Sequence, residues 1–121
     1  MKHIVYLSQF RDSSGYAVAA RHYLKSLQNY ILENKKDYTL MAHTLRFESG
    51  CSLSDEETSL INSLSFGSEE EVDRFLSKNE KFVLLWHMPP PMMILKDRYK
   101  ETKPSWRIAD KLIKGSYRNI N

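Results

Sequence analysis

Polar and apolar positions alternate along this chain in blocks of two kinds. Short apolar runs rich in β-branched and aromatic residues are the sign of strands, and longer segments with apolar residues three and four apart are the sign of helices. The first run is Ile4, Val5, Tyr6 and Leu7. Residues 9–14, polar apart from Phe10, interrupt it before Gly15, and a helical pattern then extends over 14–34. Tyr16, Ala20, Tyr23, Leu27 and Tyr30 fall on one stripe of that helix with Ala17, Leu24 and Ile31 beside it, while Arg21, Lys25, Gln28 and Asn29 face away. Residues 38–45 form a second run, apolar almost throughout except at His43, as expected of a strand covered on both faces. A polar loop over 46–54 contains Gly50 and Cys51.

Two capping boxes follow, in which a serine hydroxyl and a glutamate three residues later satisfy each other's backbone N–H groups. Ser54 with Glu57 opens a short helix carrying Leu60, Ile61 and Leu64. Ser68 with Glu71 opens another carrying Val72, Phe75 and Leu76. Phe82, Val83, Leu84, Leu85 and Trp86 give the strongest strand signal. His87, Met88 and three prolines, Pro89 to Pro91, end it, because proline cannot donate to a sheet ladder. An apolar patch and a charged loop over 96–103 come next. A last helix is expected over 105–114, with Pro104 in its first turn, Trp106, Ala109, Leu112 and Ile113 buried and Gly115 as its C-cap. Residues 116–121 read as the start of a further strand.

Strands alternating with helices imply parallel strands joined by right-handed crossovers, hence one α/β domain over 1–121: an open, mainly parallel sheet with helices on both faces, left unfinished by the chain. Ligands of such sheets sit outside the carboxyl ends of the strands. That rule brings the 9–16 loop and the 87–93 loop to one edge. In the first loop Ser13 or Ser14 can cap the helix, and Ser13, Ser14, Gly15 and Tyr16 form a polar cradle at a helix start, a suitable place for an anionic group. Neither G-x-G-x-x-G nor G-x-x-x-x-G-K-[ST] occurs, which disfavours a dinucleotide-binding domain or a P-loop enzyme. In the second loop His87 can hydrogen-bond a hydroxyl or carry a proton near neutral pH, or simply bond a neighbouring loop. His3, His22 and His43 read as structural. Trp86 and Trp106 read as core anchors. No histidine spacing suggests a metal site.

Composition narrows the class. Of 121 residues 41% are hydrophobic and 27% charged, the profile of an ordinary globular domain. Cys51 is the only cysteine, so no intramolecular disulfide or cysteine zinc cluster can form and no motif makes it a nucleophile. Without an h-region or a span-length apolar run, the expected location is the cytoplasm. The net charge of +3 is unevenly spread. Between Ser54 and Asp73 there are seven acidic residues (Asp55, Glu56, Glu57, Glu69, Glu70, Glu71 and Asp73) and no basic one, whereas basic residues dominate 96–118. Placement in first helical turns accounts for most of the acidic cluster. The basic end is a candidate for weak peripheral contact with a membrane surface.

The opening Ile4-Val5-Tyr6-Leu7-Ser8, then Ser14-Gly15-Tyr16-Ala17 and Ala20-Arg21-His22-Tyr23-Leu24, and later Leu84-Leu85-Trp86-His87-Met88-Pro89, resemble the amino-terminal half of the B-fold (GT-B) glycosyltransferases, especially the retaining family four group. The resemblance implies a Rossmann-like acceptor-side domain, with the 13–16 loop facing the donor's phosphates across a cleft and His87 close to the transferred sugar and the acceptor hydroxyl. The family's paired glycines are not matched, since only Gly15 follows two serines. The resemblance also implies a second domain that binds most of the nucleotide-sugar donor, so this chain, which carries no cofactor of its own, is expected to be inactive alone. The expected partner is a sugar acceptor, lipid-linked or protein, and not nucleic acid. The alternative is a non-enzymatic α/β interaction or regulatory domain, using an exposed sheet edge and the 88–95 patch to bind a protein or a second copy of itself.

Overall fold

A computed structural model of the chain describes residues 2–12, 15–34, 37–45, 53–78, 81–87 and 98–118, with the side chains of 117 and 118 left aside. The elements run β1 (Lys2–Ser8), α1 (Gly15–Glu33), β2 (Tyr38–Thr44), α2 (Asp55–Leu64), α3 (Glu69–Ser77), β3 (Phe82–His87) and α4 (Pro104–Arg118). Among the described residues the sheet has three parallel strands in the order β2-β1-β3, so the first strand in sequence is the central one. The expected open parallel α/β architecture is what the chain adopts.

Strand alternation divides the core in two. Ile4 and Tyr6 of β1 point with Leu40 and Ala42 of β2 toward α1 and α2, where Ala20, Leu24, Ile31, Ile61 and Leu64 complete one cluster. Val5 and Leu7 point the other way, toward Val72 of α3 and Trp106, Ala109, Leu112 and Ile113 of α4. Helices therefore cover both faces. The stripe that α1 buries is Ala17, Ala20, Leu24 and Ile31, not the tyrosine stripe. Its small residues let the helix lie close on the sheet, and Tyr16, Tyr23 and Tyr30 are left 44%, 60% and 52% exposed along its flank. Beside them the outward residues of β3, Val83 and Leu85, are 57% and 38% exposed. An open apolar groove lies between, with Lys2 and Lys81 at its margin.

The box at Ser54 forms in full: its hydroxyl accepts from the Glu57 N–H and the Glu57 carboxylate accepts from the Ser54 N–H. At Ser68 only half of it forms. The hydroxyl accepts from the Glu71 N–H, but the Glu71 carboxylate accepts from the Gly67 N–H at 2.8 Å instead. The last helix corrects two expectations. It continues through Gly115 to Arg118, so Gly115 is not a C-cap and 116–118 are not a strand. Close packing explains the glycine: an added Cβ would stand 2.5 Å from Leu76 Cδ2 on α3. The expected N-terminal bound of that helix was one residue late.

Acidic α3 and basic α4 meet side by side. Glu69 accepts from Arg107 Nη2 at 2.7 Å and pairs with Lys111 Nζ at 2.6 Å, and Lys111 also reaches Asp73 at 3.0 Å. Lys114 pairs with Asp110 within α4. The two uneven charge blocks of the sequence thus neutralise each other in part across a helix pair. Among the described residues, no helix is long and apolar enough to cross a membrane.

Candidate functional site

The carboxyl edge of the sheet is built by register. Ser8, the last residue of β1, stands opposite Thr44 of β2 on one side and His87 of β3 on the other. The Ser8 side chain is fully buried, and its hydroxyl donates to the His87 carbonyl at 2.6 Å, fixing the backbone where the strand ends. The His87 side chain shares a face with Tyr6, whose hydroxyl lies 2.9 Å from Nδ1.

Three tyrosine rings surround that imidazole, with centroids at 6.2 Å for Tyr6, 5.9 Å for Tyr16 and 5.6 Å for Tyr23. Tyr16 opens α1 and Tyr23 lies seven residues on, two turns along the same flank. The β1–α1 turn and the end of β3 therefore meet at one rim. Phe10 is buried behind Tyr6, ring centroids 5.0 Å apart. Burial, with Tyr23 adding to it, pushes the Tyr6 phenol up to about 12. It stays protonated across the physiological range and can donate to Nδ1, in which case the neutral imidazole carries its hydrogen on Nε2.

Arg21 holds the loop in place, although the helical pattern set it on the solvent side. Its Nη1 donates to the carbonyls of Phe10 and Asp12, both at 2.8 Å, and its Nε donates to Glu57 at 2.8 Å. Only 11% of its side chain is exposed. A guanidinium with donors fanned in one plane can serve two carbonyls and a carboxylate together, tying the β1–α1 turn to both α1 and α2. Glu57 in turn is held below the usual carboxylate range, chiefly by the Ser54 backbone and hydroxyl.

Of the residues singled out from the sequence, Tyr16 and His87 come together, and Gly15 starts α1 beside them. Ser13 and Ser14 lie outside the described residues, as do Cys51 and the 88–95 patch. A Cβ added at Gly15 would meet none of the described residues within 4 Å. Tyr6, Tyr23, Ser8 and Arg21 escaped the sequence reading as site residues. The spacing of Tyr16 and Tyr23 was the available signal for one of them, and shared strand parity was the signal for Tyr6.

Two of the other histidines, His3 and His43, make structural contacts. His3 bonds Thr39 Oγ1 at 2.5 Å and sets its ring edge to Phe75. His43 Nε2 donates to the Ser105 carbonyl at 2.8 Å, tying β2 to α4, and burial lowers its pKa. His22 is exposed. Among the described residues no group of three or more His, Cys, Asp or Glu could hold a metal ion. Two buried polar atoms lack a hydrogen-bond partner among them, Thr44 Oγ1 and Trp86 Nε1, both near the carboxyl ends of strands. Compared with family models, curated proteins and solved structures, the chain matches none.

Proposed function

We propose that this chain is the acceptor-side domain of a glycosyltransferase that moves a sugar from a nucleotide sugar to a hydroxyl acceptor. The observation that supports it is the meeting of the β1–α1 turn and His87 at the carboxyl edge of a parallel sheet, where ligands of such sheets collect. The imidazole is held at its backbone by Ser8 and at Nδ1 by Tyr6. With the phenol donating, the Nε2–H is left as the donor, suited to a hydroxyl of the transferred sugar or of the acceptor. Among the described residues nothing stands within 4 Å of a Cβ added at Gly15, which supports an approach of the donor to the helix start. Charge developing on the leaving diphosphate requires positioned donors beyond those described here. A second domain supplies them in this reading, and the chain alone does not catalyse transfer.

The test is an amide NMR titration of the chain with UDP-glucose, GDP-mannose and methyl glycosides. The reading expects perturbations centred on Gly15, Tyr16, Tyr23 and His87 for at least one probe, and their loss in His87→Ala. Saturable binding elsewhere with that rim unmoved refutes it. So does sugar transfer by the chain alone.

A second reading rests on a separate observation. Val83 and Leu85 lie on an edge strand beside the exposed Tyr23 and Tyr30, a face suited to a protein partner. A non-enzymatic interaction domain would use that face and leave the His87 rim idle.

A further inference from the structure

We infer that the tyrosine row of α1 holds an extended, β-linked glycan, and that the acceptor of the proposed transferase is the end of such a chain. The acceptor role rests on the transferase reading; the glycan platform rests on α1 itself. Tyr16, Tyr23 and Tyr30 recur every seven residues of one continuous helix, so each lies two turns, about 10.5 Å, from the next along nearly the same flank. The sheet side of α1 is taken by Ala17, Ala20, Leu24 and Ile31, and the three phenols stay exposed.

A spaced row of open aromatic rings suits a sugar chain. One side of a pyranose carries C–H groups, which the electron-rich face of a phenol attracts, while the hydroxyls at the sugar's edge stay in water or bond phenol oxygens. In an extended β-1,4-linked chain every second ring has the same orientation, and that disaccharide repeat is close in length to the tyrosine spacing. A lipid tail fits less well, because it would take water from the phenol hydroxyls and offer them no partner.

The row is continuous with the His87 rim. Tyr16 and Tyr23 are the α1 rings beside the imidazole, at 5.9 and 5.6 Å. Tyr30 lines the groove of about 920 Å³ between α1 and β3, together with Leu27, Val83 and Leu85. A glycan whose terminal sugar lies against Tyr23 at the rim therefore meets Tyr30 one disaccharide repeat further along, so Tyr30 is a specificity-determining residue that senses chain length.

Amide NMR titration of the ¹⁵N-labelled chain with cellohexaose, chitohexaose, maltohexaose and methyl β-glucoside tests it. Cellohexaose or chitohexaose should give saturable shifts at Tyr23, Leu27 and Tyr30, and should bind more tightly than the monosaccharide and than the coiled, α-linked maltohexaose. Tyr30→Ala should weaken hexasaccharide binding about fivefold, the loss expected of one aromatic contact, and Tyr30→Phe should retain most of it. Both variants alter an exposed side chain, so the spectrum should keep its dispersion. Absence of saturable shifts with all three hexasaccharides overturns the inference, as does binding that Tyr30→Ala leaves unchanged. Tighter binding of geranyl phosphate to the same residues overturns the glycan in favour of a lipid tail. UDP-glucose and GDP-mannose separate the two readings. Their binding at Gly15, Tyr16 and His87 with no glycan response along the row overturns this inference and leaves the transferase standing. Glycan binding along the row with the rim unmoved by either nucleotide sugar overturns the acceptor role and leaves a glycan-binding surface.

Discussion

Removing the Tyr6 hydroxyl should change the sign of its effect with pH. At neutral pH, Tyr6→Phe takes a hydrogen bond from a phenol that is 4% exposed and leaves Nδ1 of the half-buried His87 without it. Leaving a partner unsatisfied costs about 1 kcal/mol at the low end of the range for such deletions, appropriate because His87 retains some access to water. At alkaline pH the balance turns. The phenol has an ordinary value of 10.0 and is pushed up to about 12 in the fold. A group raised on folding contributes fully below its unfolded value and loses that contribution as pH climbs through the folded one. The unfolded chain therefore gains by ionising Tyr6 from pH 10 upward while the folded chain does not. At roughly 1.4 kcal/mol per pKa unit, the native protein loses about 1 kcal/mol from this group by pH 11 and about 2–3 kcal/mol beyond pH 12. Phenylalanine has nothing to ionise. Urea denaturation from pH 8 to 12 should show the variant less stable at pH 8, equal near pH 11 and more stable above it. A stability difference that stays constant over this range refutes the reasoning, since it leaves the phenol no harder to ionise when folded than when unfolded.

Trp106→Ala should be the costlier change. The ring is fully buried in the cluster with Val5 and Leu7 and packs on Tyr99 at 5.7 Å, so its loss leaves a large cavity and costs about 3–5 kcal/mol. Urea midpoints at neutral pH check this, and a loss below about 1 kcal/mol contradicts the assigned packing. At the acid end, hydrogen bonds from Arg107 and then Lys111 hold the Glu69 carboxyl down at about 2, against an ordinary 4.5. A depressed carboxyl contributes above its unfolded value and loses that contribution as pH falls from there through about 2. Glu69→Gln should destabilise by about 1 kcal/mol at pH 7, far less than the whole shift implies, because Glu69 is 27% and Arg107 44% exposed to screening water. The difference should shrink toward zero at pH 2. Thermal melts at pH 7, 4 and 2 measure it, and a difference that persists undiminished at pH 2 rules out the ion pairs as its source.

The strands were legible because each is a short apolar run closed by a breaker, and parallel topology followed from the helices between them. The Ser54 box was legible because capping is local chemistry, read within four residues. What was misread depended on neighbours distant in sequence. Gly115 resembles a helix stop until Leu76 is placed against it, 39 positions away in the chain. Arg21 is a solvent-facing helix residue until the carbonyls of a folded-back turn converge on it. The tyrosine stripe of α1 has the right period for burial, but the smaller Ala17 and Ala20 took the sheet side. At the candidate site His87 and Tyr16 could be assigned to one edge by a topological rule. The contacts around His87 required strand register, which no local pattern supplies.

The central position of the first strand bears on how the molecule assembles. β1, α1 and β2 are consecutive and can zip together early, whereas the other edge of β1 waits for a strand whose last residue is 79 positions from Ser8. Closing so long a loop is entropically expensive and slow compared with helix formation. During synthesis, the edge of β1 that faces β3 stays unpaired until β3 leaves the ribosome, and the His87 rim is the last part of the described strand edge to come into being.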